Sequence, residues 1–137
     1  VLERFLKSQS GLLLLTGPAG SGKTTTIYAC LRHLAESGGR HIITVEDPVE
    51  QVLPGIMQTE VNEARGPPLA KAARHLVRQD PQVLVIGEIR DEETAAIAVR
   101  ACKRREDLFG AGVAYPLDQS SEGPGVWSAA FVVLPAF

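Results

Sequence analysis

Gly11-Leu12-Leu13-Leu14-Leu15-Thr16-Gly17-Pro18-Ala19-Gly20-Ser21-Gly22-Lys23-Thr24 decides the fold. A short apolar run alone is ambiguous between strand and buried helix. The glycine and proline that follow it favour a strand ending in a loop. From Lys23 to Glu36, Ile27, Cys30, Leu31 and Leu34 recur at helical spacing, and Gly38-Gly39 closes the run. Residues 17–24 match G-x-x-x-x-G-K-[ST] in full, in the strand–loop–helix context that the motif requires. The physics asks for each part. Glycines at 17, 20 and 22 let the backbone approach phosphate and turn its amides inward. The helix that follows offers its positive end to an anion. Lys23 reaches phosphate oxygens, and the Thr24 hydroxyl suits Mg²⁺. Gly17, Pro18, Ala19, Gly20, Ser21, Gly22, Lys23, Thr24 and Thr25 are therefore the candidate nucleotide site. The bland alternative, a glycine-rich turn with no ligand, does not account for the full motif in its full context.

Outward from this loop, His41-Ile42-Ile43-Thr44-Val45 is β-branched and predicts a strand, stopped by Glu46-Asp47-Pro48. Residues 49–68 read as loop, broken by Pro54-Gly55 and Gly66-Pro67-Pro68. Apolar residues at 69, 72, 73, 76 and 77 predict a helix over 69–79. Val83-Leu84-Val85-Ile86 predicts a strand buried on both faces of a parallel sheet. Asp91 reads as an N-cap with Glu92 and Glu93 behind it, and the helix runs to about Arg104. Strands alternating with helices imply an α/β parallel sheet. Glu46, Asp47 and Glu88 follow strands, on the rim where open parallel sheets bind ligands. Acids there can serve Mg²⁺ or orient a water, although acids after strands also serve as caps and loop charges. Arg90 is open between pairing with Asp91 and simply starting the helix. His33, His41 and His75 show no ligand spacing and read as structural or exposed.

Composition excludes several classes. The chain has 137 residues, net charge -2 and 45% hydrophobic residues, which rules out a disordered chain and a strongly basic nucleic-acid arm. Cys30 and Cys102 are too few for a disulfide framework or a four-ligand zinc site, and read as small core residues. The apolar stretch from Val126 to Phe137, interrupted by proline, is too short to span a bilayer. All 14 basic and 14 of the 16 acidic residues lie within residues 1–107, so the composition changes near Lys103-Arg104-Arg105. No signal peptide or initiator Met opens the chain, so it reads as a piece of a longer protein.

With these motifs placed, the chain resembles a known family. Residues 11–29 resemble the Walker A region of the type II secretion and type IV pilus assembly ATPases (general secretory pathway protein E). Ile43-Thr-Val-Glu-Asp-Pro-Val-Glu50 resembles their aspartate box, and Leu53–Asn62 the loop after it. Leu76–Thr94 resembles their Walker B region. The resemblance covers about residues 8–102 and leans to the assembly branch. It implies a RecA-like P-loop NTPase core that binds and hydrolyses Mg-ATP to drive pilin or pseudopilin assembly and protein export. It implies a homo-hexamer, cytoplasmic and peripheral to the bacterial inner membrane, working on platform proteins there, with no nucleic acid. Carried onto matching residues, it implies that Lys23 and Thr24 bind phosphate and Mg²⁺. Glu46 would polarise the attacking water, Glu88 would serve Mg²⁺, and Arg90 would hold the nucleotide site or a subunit contact.

The resemblance also predicts where this chain departs. Gly66-Pro67-Pro68 stands where the family enters a helix, so that helix is expected to start late. After Cys102 the family continues into a strand and a histidine box, whereas this chain reads Lys103-Arg-Arg-Glu-Asp-Leu-Phe-Gly and has no histidine after His75. A reading-frame shift or truncation near Cys102 would produce that break. The domain arrangement is then a partial RecA-like core at 1–102 and a divergent tail at 103–137. The missing strand lies between the Walker A and Walker B strands, so the core is expected to be incomplete and the tail poorly ordered. Phe131–Leu134 is the best filler for that slot and Val113–Tyr115 the second. The resemblance implies that arginines of a preceding domain complete a neighbouring site, and this piece is expected to lack them. Two rival functions stand beside the motor: a nucleotide-binding but inactive remnant, supported by the missing histidine box, and a P-loop small-molecule kinase, opposed by the aspartate box and Walker B spacing. A DNA motor is weaker still, since only Lys103–Arg105 cluster positive charge.

Overall fold

A computed structural model of the chain describes residues 6, 11–18, 20–62, 64–103 and 129–134. In order, the elements are β1 (Gly11–Leu15), α1 (Lys23–Glu36), β2 (Ile42–Glu46), β3 (Met57–Glu60), α2 (Leu69–Val77), β4 (Val83–Ile89), α3 (Glu92–Lys103) and β5 (Ala129–Leu134). They form one sheet in the order β1-β5-β4-β2-β3. β2 runs parallel to both β3 and β4, while β5 runs antiparallel to both β1 and β4. It follows that β1, β4, β2 and β3 all point the same way, and their C-terminal ends share one edge. The expected α/β sheet with flanking helices is present.

The helices cover the two faces because the strands are buried on both. Residues of β2 alternate strictly. Ile43 and Val45 join Leu84, Ile86 and the inner faces of α2 and α3 in one core. Ile42 joins Val83, Val85 and the α1 residues Ile27, Tyr28, Cys30, Leu31 and Leu34 in the other. Each fully buried side chain of this size contributes about 1.5–3 kcal/mol of transfer free energy. The period of two then puts Thr44 and Glu46 on the α1 face with Ile42. Asp91 caps α3 through a 2.7 Å bond from the Thr94 amide to Oδ1, as its sequence position suggests. An Arg74–Glu93 ion pair links α2 to α3.

The expectations need correcting at several points. Residues 49–68, read as loop, contain β3, paired to β2 from Ile43↔Met57 to Glu46↔Glu60. The helix predicted over 69–79 ends at Val77; it starts at Leu69, directly after Pro68, whose backbone is extended and forms its N-cap. β4 continues three residues beyond the predicted Ile86, so Glu88 lies inside the strand, and Glu46 is the last residue of β2. The slot expected between the Walker A and Walker B strands holds β5, which spans the candidate filler Phe131–Leu134 and is registered on both sides. Val113–Tyr115, the second candidate filler, lies outside the described residues.

Candidate functional site

The loop between β1 and α1 is shaped by its glycines. Gly20 and Gly22 have positive φ of 76° and 86°, and a β-carbon on either would meet nothing within 4 Å, so open space adjoins both. Gly17 has no such room: a β-carbon there would lie 2.7 Å from Ser21 Oγ. Gly22 is also the N-cap of α1, with no side-chain cap bond and no acidic residue in the first turn. The donors at the start of this 14-residue helix are thus left to a ligand or to solvent. Lys23 folds back over the loop. Its Nζ donates to the carbonyls of Gly17 and Pro18, both at 2.7 Å, and to Ser21 Oγ at 3.4 Å. Thr24 is half-buried and Thr25 exposed in the first turn. Ala19 lies outside the described residues. This donor set, one ammonium and uncapped amides without a nearby acid, suits a polyphosphate.

Glu46 is buried, only 7% exposed. Its Oε2 accepts from Tyr28 Oη at 2.6 Å, and its Oε1 from Thr44 Oγ1 at 2.5 Å and Gln58 Nε2 at 3.4 Å. A carboxylate has about four acceptor positions, so three contacts leave room for one further donor such as a water. Gly87 makes the close approach of β4 possible, since a β-carbon there would lie 3.3 Å from Glu46 Cα and Cγ. On β4, Glu88 Oε2 sits 2.9 Å from Arg90 Nη2, so Arg90 pairs with Glu88, and Asp91 acts as a cap. The register of β4 against β5 shifts between Ile86 and Ile89, the stretch that carries Gly87 and Glu88. The shared C-terminal edge of β1, β2 and β4 thus carries the glycine-rich loop of residues 17–22, Glu46 and Glu88. Among the described residues no cluster of three His, Cys, Asp or Glu could hold a metal by itself. A Mg²⁺ here would take its other ligands from phosphate and water, beside Thr24 and Glu88. His33, His41 and His75 are exposed, and Cys30 is core, its thiol pushed up by burial.

Sequence reasoning missed Tyr28, Gln58 and Gly87. Tyr28 sits on the apolar face of α1 and reads there as core packing, yet a buried phenol needs a partner, and that was the available signal. Burial first, and the bond to Glu46 second, push its phenol above the ordinary 10.0. The fold therefore favours the neutral phenol, whereas the unfolded chain ionises near the ordinary value. Stability from this group is full below about pH 10 and is lost as pH rises through the folded-state value. We expect the thermal unfolding midpoint to fall between about pH 9 and about pH 11, and to fall less in Tyr28→Phe. Equal alkaline losses in the two chains would refute this.

The geometry has relatives. Residues 1–104 match the model of the family described as type II/IV secretion system protein. The type II secretion system ATPase E of Vibrio cholerae is 52% identical over 99 residues, which are 72% of this chain and 20% of that protein. The pilus retraction motor PilT, solved with bound ADP, superposes with a TM-score of 0.57 at 37% identity, over 64% of this chain and 26% of that one. The Legionella pneumophila ATPase DotB superposes with a TM-score of 0.59 at 25% identity, over 74% and 30%. The chain belongs to the type II/IV secretion system protein family. It spans about one fifth of the length of the curated relatives it matches.

Proposed function

We propose that this chain is the nucleotide-binding core of a secretion or pilus-assembly motor, binding Mg-ATP on residues 17–25 and hydrolysing it. The observation that carries this is the phosphate loop itself: an uncapped, acid-free start to α1 beneath the Lys23 ammonium. The family membership and a relative solved with ADP support it. Lys23 and the amides of residues 20–25 would hold phosphates, and Thr24 and Glu88 would face the Mg²⁺. The ion supplies charge neutralisation on the phosphate oxygens. Glu46, with its one remaining acceptor position, would hold the attacking water and take up its proton, and Arg90 would hold Glu88 in place. Residues 1–102 would be the partial RecA-like core and 103–137 a divergent tail.

The wider assignment follows from the same reading. The parent would be a homo-hexamer, cytoplasmic and bound to platform proteins of the bacterial inner membrane, without nucleic acid. Among the described residues no helix is long and apolar enough to cross a membrane. A specific observation favours one alternative, a remnant that binds nucleotide without turning it over: the family match stops at residue 104. Calorimetric titration with Mg-ATP, followed by phosphate release, separates the readings. We expect saturable binding followed by turnover that Glu46→Gln suppresses. Binding without turnover would establish the remnant, and no saturable binding would sink both.

A further inference from the structure

Tyr28 lies five residues beyond Lys23, about 7.5 Å further along the same helix. Its ring is 5% exposed and wedged into the core of the α1 face, so the hydroxyl has little freedom of position. Nor has it freedom of direction. The amides of Glu50 and Gln51 both donate to Tyr28 Oη, each at 3.1 Å. With those two donors on the oxygen, its single proton is left to point at Glu46 Oε2, 2.6 Å away. The backbone after β2 thereby sets the phenol, and the phenol sets the carboxylate.

A second chain of contacts reaches Glu46 from the other side. Arg32, one turn beyond Tyr28 on α1, donates through Nη2 to Gln51 Oε1 at 2.6 Å. The Gln51 carbonyl accepts from Gln58 Nε2 at 2.8 Å, and that same nitrogen lies 3.4 Å from Glu46 Oε1. The Leu53 amide fixes the other end of the Gln58 side chain through a 2.6 Å bond to Oε1. The helix that starts at the phosphate loop therefore grips the 50–53 segment, and both press on one carboxylate.

We propose that Tyr28 is a positioning residue for Glu46: it couples the phosphate-loop helix to the orientation of the carboxylate that holds the attacking water. This rests on the assignment of hydrolysis to the chain with Glu46 as its acid–base group. A tyrosine serving only as core packing needs no hydroxyl, and the hydroxyl here spends its proton on Glu46 and both acceptor positions on the backbone just beyond it. A carboxylate released from its place beside the attacking water is expected to lose about tenfold in turnover or more, since small misplacements of a reacting group cost up to about a hundredfold.

The test is a four-member cycle in the full chain: wild type, Tyr28→Phe, Glu46→Gln and the double variant. Calorimetric Mg-ATP binding and steady-state phosphate release are measured for each. Expected in Tyr28→Phe is a turnover about tenfold lower with KM and binding within about twofold of wild type. In the Glu46→Gln background the same change should cost less than about twofold, because Tyr28 then has no carboxylate to position. A merely structural loss would instead add in full in both backgrounds, and that result overturns the proposal. Turnover that falls in Glu46→Gln but stays at the wild-type level in Tyr28→Phe overturns this proposal alone. A wild-type chain without turnover overturns the hydrolysis assignment and this inference with it. Should Tyr28→Phe fail to fold, Gly87→Ala decides the matter. It keeps every hydrogen-bonding group but sets a β-carbon 3.3 Å from Glu46 Cα and Cγ. Turnover that falls with binding intact, and that falls no further when Gly87→Ala is added to Glu46→Gln, supports positional control of Glu46; unchanged turnover, or an equal loss in both backgrounds, overturns it.

Discussion

Lys23→Ala is expected to weaken Mg-ATP binding by about a hundredfold or more while leaving the fold within a few degrees of its original unfolding midpoint. The asymmetry follows from where the ammonium sits. Its present acceptors are two loop carbonyls and one hydroxyl, and the bonds to Pro18 and Ser21 are exposed. Removing it returns those acceptors largely to water, which costs about 1 kcal/mol. Toward a polyphosphate the same ammonium would make charge-assisted bonds of about 1.5–3 kcal/mol each, with no neighbouring cation in the loop to replace it. Calorimetry on both chains, with thermal unfolding alongside, reads the two effects separately. Equal affinities would mean that phosphate does not sit at residues 17–24, whatever the motif says. Loss of the fold together with binding would mean that Lys23 is a structural brace for the Gly17–Pro18 turn.

What could be read from the sequence depended on whether a residue's signal was local. The glycine-rich loop, β1 and α1 were legible because glycines, a lysine and a helical period fall within a few consecutive residues. β2 and the first part of β4 were legible because apolar β-branched runs have no other easy home. β3 was not: Met57-Gln58-Thr59-Glu60 has no apolar alternation, and only its pairing along β2 makes it a strand. It sits at the sheet edge, where one flank needs no apolar cover. The end of β4 was hidden for a different reason. Gly87 and Glu88 break the apolar run, yet the strand continues to Ile89, and Gly87 is what leaves space for Glu46.

The site was legible as a set of candidates and not as an arrangement. A rule about parallel sheets predicts Glu46 and Glu88 just past their strands, and they lie within the last residues of β2 and β4 instead. That Glu46 faces α1 follows only once Ile42 is known to face it, since the strand period then carries Thr44 and Glu46 to the same side. The partners of Glu46 come from α1, β2 and β3, up to 18 residues away in sequence, and no spacing rule joins them. The pairing of Arg90 with Glu88 instead of Asp91 is likewise a product of strand geometry.

Truncation after residue 128 is expected to abolish cooperative unfolding. β5 is not an edge strand that can be trimmed, because it separates β1 from β4. Leu13, Val132 and Val85 stand in one row across three strands, as do Leu12, Val133 and Leu84. On the β4 side those rows are dry, with Leu84, Val85 and Ile86 at most 1% exposed. Removing β5 leaves ladder donors and acceptors unpaired along both neighbours. Each buried unpaired group costs about 1–3 kcal/mol, against a total stability of about 5–15 kcal/mol for a domain. Direct pairing of β1 with β4 would recover those bonds only by drawing α1 across the sheet and out of its core. Val132→Pro tests the same point without shortening the chain, since proline in a central strand removes a ladder donor. Circular dichroism melts and amide exchange are the measurements. We expect both variants to lose the sharp transition and the slow exchange of β2 and β4 amides. If the truncated chain melted sharply at the original temperature, β5 would contribute nothing to the sheet. The antiparallel strand would then be a passenger in a slot that β1 and β4 can close without it, and the family match ending at residue 104 would mark the end of everything the fold needs.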